Sequence, residues 1–321
     1  MSYDFSTIGE TMIRINPVNN QRIEQASYFN VSIGGSESNT GILLSRLGLK
    51  TCWCSKLPIN QLGKKIASEI KRNGVDLNFL VWSKTGRVGV YFVEAGVGIR
   101  PTNIIYDRKN SCINDLSIED INIESFLDTK LFHLTGITPA LSKNCYDLSV
   151  NLIKEAKKRK VQISFDINYR STLWTEVEAK RSLHILLPYV DILFCRNEDV
   201  QIFYEYKSEE THKVATKLQK EFMIPVVVIT NGEHGSTAKI NSEYYTIPGI
   251  ETDVIENIGA GDAFSAGFLY NYLQNKNGKE CLEFANKMAA LKLTIPGDIG
   301  YISNEDISLF KNYGKKGNIL R

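Results

Sequence analysis

A glycine-rich turn late in the chain, followed by an aspartate, has the clearest potential for chemistry. Gly259, Ala260 and Gly261 form the turn, and the apolar residues after Asp262 fall at helical spacing, which predicts a helix from about Asp262. Peptide N–H groups at a helix start bind phosphates and other oxyanions. A carboxylate there repels anions, so a proton-accepting role toward a nucleophilic hydroxyl would explain it. A simple helix cap explains this turn equally well.

A second glycine-rich turn lies near the N-terminus. Gly34 and Gly35 follow the alternating residues 28–33 and precede a predicted helix that ends before Gly48. The exposed backbone of such a turn suits polar ligand groups. Taken alone, it is more simply an ordinary connection between a strand and a helix.

Strand and helix patterns alternate along most of the chain. This alternation predicts an α/β fold with a doubly wound, mostly parallel sheet flanked by helices, whose ligands bind beyond the carboxyl ends of the strands. The β-branched residues 225–230 are predicted to form a central strand. Residues 244–248 and 252–255 are predicted to be short strand material. The other main strands are expected near 4–10, 51–55, 130–136, 161–166 and 191–195, and helices near 62–73, 142–158 and 175–187.

Two regions depart from the alternation and are predicted to form a small β-sheet. About residues 11–33 contain short alternating segments, and about residues 87–108 form a hairpin with a glycine-bearing tip. We find no linker, repeat or low-complexity segment in the sequence. We therefore predict that residues 1–321 form a single domain that carries this small sheet as an appendage.

Composition excludes several classes of function. Lysines and arginines exceed acidic residues by only two, which gives no support for binding to nucleic acid or a membrane surface. No apolar run is long enough to cross a bilayer, and the N-terminus lacks a secretion signal, so we expect a cytoplasmic protein. The six cysteines are predicted to be buried free thiols, and the four histidines form no pair with zinc-ligand spacing. No metal site built from protein ligands is predicted.

Together, the two turns resemble the two signature motifs of the ribokinase-like (PfkB) carbohydrate kinases. Residues 34–39 resemble the N-terminal motif and residues 259–264 the C-terminal one, and the resemblance covers nearly the whole chain. It implies that Asp262 is the base that activates a sugar hydroxyl, and that N–H groups from Gly259 to Asp262 bind the transferred phosphoryl group. ATP is implied as the donor, with Mg²⁺ held mainly by nucleotide phosphates and water.

The same resemblance implies a nucleotide site. The family's nucleotide turn matches residues 231–235, and a late helix carries a residue near the adenine. Core packing explains that helix equally well. The nucleotide-binding residues implied are Asn231, Gly232, Gly235, Gly259, Gly261 and Asn286.

A narrower resemblance is to the 2-keto-3-deoxygluconate kinases of this family. It rests on residues 89–92, 105–111, 134–142 and 165–170. Two arginines suit a sugar acid because a guanidinium binds a carboxylate in a geometry that lysine lacks. Sheet packing of the tyrosines and a solvated hairpin charge are the simpler alternatives. The substrate contacts implied are Gly35, Tyr91, Tyr106, Arg108, Ile137, Arg170 and Asp262.

Three segments depart from the family pattern. Glu256 and Asn257 replace the usual Asp-Thr or Asp-Pro near a monovalent-cation site, which leaves activation by K⁺ uncertain. Arg196 and Asp199 take the places of the Asn-x-x-Glu segment that supports the magnesium–water network. Val88 replaces the threonine common before the Gly-x-Tyr strand.

We therefore expect an ATP-dependent kinase that phosphorylates the 6-hydroxyl of 2-keto-3-deoxygluconate. The small β-sheet would act as a lid over the sugar, and a homodimer through that lid would be consistent with the resemblance. A fructokinase or another ketose kinase is the close alternative. A non-catalytic sugar or nucleotide sensor is the alternative from a different class, although the intact Asp262 turn argues against it.

Overall fold

The computed structural model of the chain describes residues 1–204 and 211–309. The β-strands are β1 (Tyr3–Ile8), β2 (Met12–Pro17), β3 (Phe29–Gly34), β4 (Thr51–Pro58), β5 (Leu80–Ser83), β6 (Val90–Glu94), β7 (Asn103–Asp107), β8 (Thr129–Thr135), β9 (Gln162–Asp166), β10 (Ile192–Arg196), β11 (Val226–Thr230), β12 (Ser236–Ile240) and β13 (Glu243–Ile247). The α-helices are α1 (Ser36–Arg46), α2 (Gln61–Arg72), α3 (Ile123–Phe126), α4 (Ile137–Ala140), α5 (Lys143–Lys158), α6 (Glu176–Leu186), α7 (Asn197–Tyr204), α8 (Thr211–Phe222), α9 (Ala260–Leu273), α10 (Gly278–Leu293) and α11 (Asn304–Leu309).

The large sheet has nine strands in the order β13-β12-β11-β10-β9-β8-β1-β4-β5. The strands from β11 to β5 pair in parallel, whereas β12 and β13 are antiparallel additions at one edge. Because β1 lies between β4 and β8, the chain winds outward from it in both directions, which confirms the predicted doubly wound sheet. The prediction that β11 is central was wrong: it lies third from an edge. Its β-branched composition reflects burial on both faces, which an interior strand away from the centre also has.

Helices cover both faces of the large sheet. In β11, Val227 and Ile229 pack into the core beneath α5, α6 and α8, whereas Val226 and Val228 pack toward α1, α9 and α10. Successive side chains of a strand point to opposite faces, so one apolar strand supplies both cores. The sheet is therefore buried between two helical layers, and ligands can reach it only at the strand ends.

The predicted small β-sheet is present, with the strand order β3-β2-β6-β7. One row across the four strands contains Ser32, Arg14, Tyr91 and Tyr106. The next row contains Val31, Ile15, Phe92 and Ile105. Neighbouring rows point to opposite faces of a sheet, so the small sheet has one face with polar and aromatic side chains and one apolar face.

One local strand prediction was wrong, and two short strands were not predicted. Residues 252–255 form no strand; instead the N–H groups of Ile255 and Glu256 donate to the carbonyl oxygen of Leu293 at 2.8 and 3.1 Å. The strands β5 and β12 were not predicted; β5 has only four residues, and their burial does not alternate. All six cysteines are buried and unpaired, as predicted. No helix within the described residues is long and apolar enough to cross a membrane.

Candidate active site

A cavity of about 500 Å³ lies where the strands β1, β8, β9, β10 and β11 end. These are carboxyl ends of parallel strands, and β1 is the strand from which the sheet winds in both directions, so the cavity lies where the fold predicts a ligand site. The row of the small sheet that contains Tyr91 and Tyr106 covers the cavity from another side. The site therefore forms between the large sheet and the small one.

The turn before α9 has a conformation that only glycine adopts easily. Gly259 has a φ of 86°, and a β-carbon built there would lie 2.2 Å from the carbonyl oxygen of Asp298. The N–H of Ala260 donates to the Asn257 carbonyl oxygen at 3.3 Å. The N–H groups of Gly261 and Asp262 have no backbone acceptor in the described residues, as expected for the first turn of a helix. They can therefore bind an anion.

Asp262 is fixed by donors from the other glycine-rich turn. Its two carboxylate oxygens accept from Ser36 Oγ at 2.6 Å and from Asn39 Nδ2 at 2.7 Å. Asn168 Nδ2 donates to the same Ser36 oxygen at 3.0 Å. Burial raises the pKa of Asp262 to about 6, against the opposing effect of these hydrogen bonds. The carboxylate is therefore oriented and is basic enough to accept a proton near neutral pH.

The small sheet contributes an aromatic and cationic surface to the cavity. The rings of Tyr91 and Tyr106 stack with centroids 5.8 Å apart, and the Arg108 guanidinium lies 5.7 Å from the centre of the Tyr106 ring. All three residues line the cavity, as do Gly35 and Ile137. The tyrosines pack within the sheet, as the simpler alternative held, but they also face the site.

Arg108 is not a solvated hairpin charge. Its side chain is only 11% exposed, and its Nε and Nη2 donate to one oxygen of Glu10 at 2.8 and 2.6 Å. The other Glu10 oxygen accepts from Ser111 Oγ at 2.5 Å. Sequence reasoning missed Glu10, although it follows a glycine at the end of the first strand, where a polar side chain is a signal for a site. Nη1 of Arg108 makes no hydrogen bond to a described residue.

Glu37 is a second residue that sequence reasoning did not assign a role. It is buried at the start of α1, and one of its oxygens accepts from Thr135 Oγ1 and Thr138 Oγ1, each at 2.7 Å. Burial raises its pKa. A β-carbon built on Gly9 would lie 2.4 Å from the Glu37 carboxyl. Glu37 therefore joins α1 to the ends of β1 and β8, which places the donors for Asp262.

Four charged residues lie at or just after the ends of β9 and β10. Asp199 is fully buried and accepts from Arg196 Nε and Nη2 at 3.0 and 2.5 Å. Asp166 lines the cavity, and burial, followed by the charges of Asp262 and Asp199, raises its pKa to about 7. Arg170 lines the same cavity and opposes this rise. In the described part of the chain, no group of three or more acidic, His or Cys side chains could hold a metal ion.

The residues implied for the nucleotide form a group next to the cavity. The turn after β11 contains Gly232 and Gly235, with φ values of 54° and 96°. Asn286 is buried on α10, and its Nδ2 donates to Ser236 Oγ at 3.1 Å, which joins the helix to the strand after that turn. Asn231, Gly232, Gly235 and Asn286 do not line the 500 Å³ cavity, but Thr230, directly before the turn, does.

Comparison with known proteins decides the family. The profile of the pfkB family carbohydrate kinases matches residues 4–304. The chain belongs to the PfkB family of carbohydrate kinases. The ribokinase-like fold with a small sheet, expected from the two glycine-rich turns, is therefore confirmed, and the protein is a carbohydrate kinase that transfers phosphoryl to an alcohol group.

Relatives of this PfkB kinase are named as kinases of keto-deoxy sugar acids. A 2-dehydro-3-deoxygalactonokinase from Haloferax volcanii is 33% identical over 99% of both chains. A 2-dehydro-3-deoxygluconokinase structure from Thermotoga maritima is 31% identical, with a TM-score of 0.92 over 96% of this chain and 98% of that one. An Escherichia coli protein solved with ATP and Mg²⁺ has a TM-score of 0.88 over 97% and 99% of the chains at 21% identity, and thus shares the fold.

Proposed function

We propose that this PfkB kinase transfers the γ-phosphoryl group of ATP to the 6-hydroxyl of 2-keto-3-deoxygluconate, the 2-dehydro-3-deoxygluconate of the relatives' names. The observation that carries the proposal is one cavity that contains both an oriented carboxylate and an arginine whose Nη1 makes no hydrogen bond to a described residue. Asp262 provides the carboxylate and Arg108 the guanidinium. A sugar with a hydroxyl at one end and a carboxylate at the other matches both.

Asp262 is the proposed general base. Its carboxylate accepts the proton of the 6-hydroxyl while that oxygen forms a bond to the γ-phosphorus and the bond from phosphorus to the β-phosphate oxygen breaks, releasing ADP. The N–H groups of the turn stabilise the charge on the transferred group, with Gly259 holding the turn and Gly261 contributing a free N–H. Ala260 contributes mainly through the turn, because its own N–H is directed to Asn257.

The carboxylate of the sugar acid is proposed to bind Arg108. Glu10 occupies the Nε and Nη2 groups through one oxygen, so Nη1 remains for a substrate oxygen. Glu10 also prevents the guanidinium from turning away from the cavity. Tyr91, Tyr106 and Arg170 line the same cavity and are proposed to contact the sugar, together with the backbone near Gly35 and Ile137.

ATP is proposed to bind along the ends of β10 and β11, next to the turn with Asn231, Gly232 and Gly235, and with Asn286 close to the adenine. The fold shared with a protein solved with ATP and Mg²⁺ supports ATP and Mg²⁺ as ligands. Mg²⁺ usually binds through one or two carboxylates, water and substrate phosphates. The described residues fit that mode, since Asp166 lines the cavity and no larger ligand cluster is present among them. Mg²⁺ would neutralise charge on the phosphates.

The galacto epimer of the same keto acid is a second candidate substrate. The Haloferax volcanii relative, at 33% identity, carries that specificity in its name. The two epimers have the same carboxylate and the same terminal hydroxyl, so Asp262 and Arg108 serve either one.

The small sheet is proposed to be a lid within one domain, and its apolar face a dimer contact. Val31 and Ile105, at the two edges of the apolar row, are 49% and 50% exposed. Burying such a face against a second copy would remove apolar area from water. Its other face, with Tyr91 and Tyr106, would remain over the sugar.

A coupled assay of ADP release over a panel of sugars tests the proposal. The panel contains both keto-deoxy epimers, fructose and ribose, and the Asp262→Asn variant serves as the inactive control. We expect the highest kcat/KM for 2-keto-3-deoxygluconate, and phosphate at its 6-oxygen by ³¹P–¹H correlation. A preference for fructose would identify a ketose kinase, and a preference for the other epimer would support the second candidate.

A further inference from the structure

A buried lysine lies beneath the turn that is proposed to bind the phosphoryl group. Lys292, near the end of α10, has no exposed side-chain surface, although removing an ammonium group from water is costly. Its Nζ donates to the carbonyl oxygen of Ile295 at 2.9 Å, and its own carbonyl oxygen accepts from the Ile295 N–H at 3.0 Å. The lysine thus closes the turn after α10 with both its backbone and its side chain.

The Lys292 side chain lies next to Gly259, in the turn that is proposed to bind the phosphoryl group. A β-carbon built on Gly259 would lie 3.2 Å from Cε of Lys292. The next residue, Leu293, accepts hydrogen bonds from the N–H groups of Ile255 and Glu256, which lead into the same turn. The end of α10 therefore supports the turn through backbone contacts, with the ammonium group close beside it.

Arg14 alone does not neutralise the buried carboxylates near Lys292. Glu256 and Asp298 are both buried, and both accept from Arg14, at 2.5 and 2.6 Å. One guanidinium thus serves two carboxylates, and Asp262 adds a third carboxylate nearby. Burial lowers the pKa of Lys292 to about 8, whereas Glu256, Asp298 and Asp262 favour its charged form and Arg14 opposes it. In a poorly solvated site, an uncompensated negative charge would repel an incoming phosphoryl group.

We propose that the ammonium group of Lys292 is a built-in monovalent cation of the phosphoryl site. It is a positioning residue: it supports Gly259 in its left-handed conformation and neutralises the buried carboxylates, in place of a bound alkali ion. The inference rests on the proposed phosphoryl transfer at the Asp262 turn. It implies that K⁺ is not required, the question that Glu256 and Asn257 left open.

Two measurements test the proposal, and the first needs no variant. Wild-type kcat is measured in K⁺, Na⁺ and tetramethylammonium chloride at constant ionic strength, where we expect less than about a twofold change because only general screening differs. In the second, Lys292→Met keeps an unbranched side chain but removes the charge. We expect kcat to fall about a hundredfold while the sugar KM changes less than about threefold.

Chemical rescue distinguishes a cation from a merely structural side chain. Lys292→Ala leaves space beside the turn, and saturable addition of K⁺, NH₄⁺ or methylammonium should restore kcat at least about tenfold. Lys292→Arg should be more active than Lys292→Met. Lys279→Met is the matched control, because that side chain lies on the same helix and is 67% exposed. Its kcat should equal that of the wild type.

Strong, saturable activation of the wild type by K⁺ would overturn the proposal even if the variants failed to fold. A folded Lys292→Ala that no cation restores, or a Lys292→Met with wild-type kcat, would also overturn it. All rates are measured with whichever sugar the wild type phosphorylates. A wild type that accepts only fructose would therefore refute the keto-acid proposal and leave the test of Lys292 intact.

Discussion

At the scale of single residues, we predict that Asp262 produces the acid limb of the pH profile. Burial raises its pKa to about 6, and a protonated carboxyl cannot accept the proton of the sugar hydroxyl. Since a carboxylate becomes protonated as pH falls through its pKa, kcat/KM should decline as pH falls below about 6. A pH profile in constant ionic strength checks this. An acid limb centred near pH 4 would contradict the role of the buried carboxylate.

Removing the proposed proton acceptor should lower the rate of catalysis and leave substrate binding nearly unchanged. Asp262→Asn keeps the shape of the side chain, so substrate KM should change little, whereas kcat should fall on the order of a hundredfold or more. Asp253→Asn, at an exposed position of the preceding loop, is the control and should leave both constants unchanged. Near-normal turnover of Asp262→Asn would exclude the assignment.

Arg108 is the residue proposed to select a sugar acid. A hydrogen bond to a charged group contributes roughly 1.5–3 kcal/mol, which is about ten- to a hundredfold in binding. Arg108→Ala should raise KM for the keto acid by that factor and affect fructose far less, and Arg108→Lys should recover only part of the loss. The ratio of kcat/KM for the two sugars is the measurement. Arg87→Ala, a hairpin arginine that is 42% exposed, should leave the ratio unchanged.

Sequence reasoning identified residues that carry a recognisable signal and missed those whose role is to hold them. Glycine spacing singled out Asp262, and the family resemblance singled out Arg108; both line one cavity. Glu10 and Lys292 were missed because their partners are distant in sequence: Glu10 binds Arg108, and Lys292 lies against Gly259. Nothing in the local pattern around a lone lysine near a helix end indicates that the fold will bury it.

At the scale of elements, Arg14 joins the small sheet to the large domain core. It lies on β2 with 2% of its side chain exposed, and it binds Glu256 before α9 and Asp298 after α10. The sequence predicted β2 and α9 from periodicity, because periodicity reports each element's own burial. It could not predict this contact, which depends on how separate elements meet.

Removal of Arg14 should therefore destabilise the fold. Arg14→Met leaves two buried carboxylates without their shared partner, which should lower the free energy of unfolding by about 3 kcal/mol or more. The deficit should shrink as pH falls, because burial raises the pKa of Asp298 and its protonation removes one of the unpaired charges. Urea denaturation at about pH 7.5 and about pH 5.5 measures both effects. Arg72→Met, at a 70% exposed position of α2, is the control; an equal loss in both variants would contradict the prediction.

At the scale of the whole molecule, the two faces of the small sheet have different surroundings. The face with Tyr91 lies over the cavity, whereas the row with Val31 and Ile105 is apolar and half exposed. If that row is a dimer contact, Val31→Asp should shift the mass in solution from that of a dimer toward that of a monomer. Sedimentation equilibrium measures this mass. Val177→Asp, at a 76% exposed position of α6, should not. A wild type that is monomeric throughout would refute the dimer.

The buried thiols make this chain convenient for spectroscopic reporters. All six cysteines are buried and unpaired, and burial raises the pKa of Cys54 and Cys195, so little reactive thiolate forms in the native state. A cysteine introduced at Ile99, fully exposed between β6 and β7, should then be the one site that a maleimide dye labels. A second dye at Val177 would report motion of the proposed lid as a change in energy transfer, without the need to remove any native cysteine.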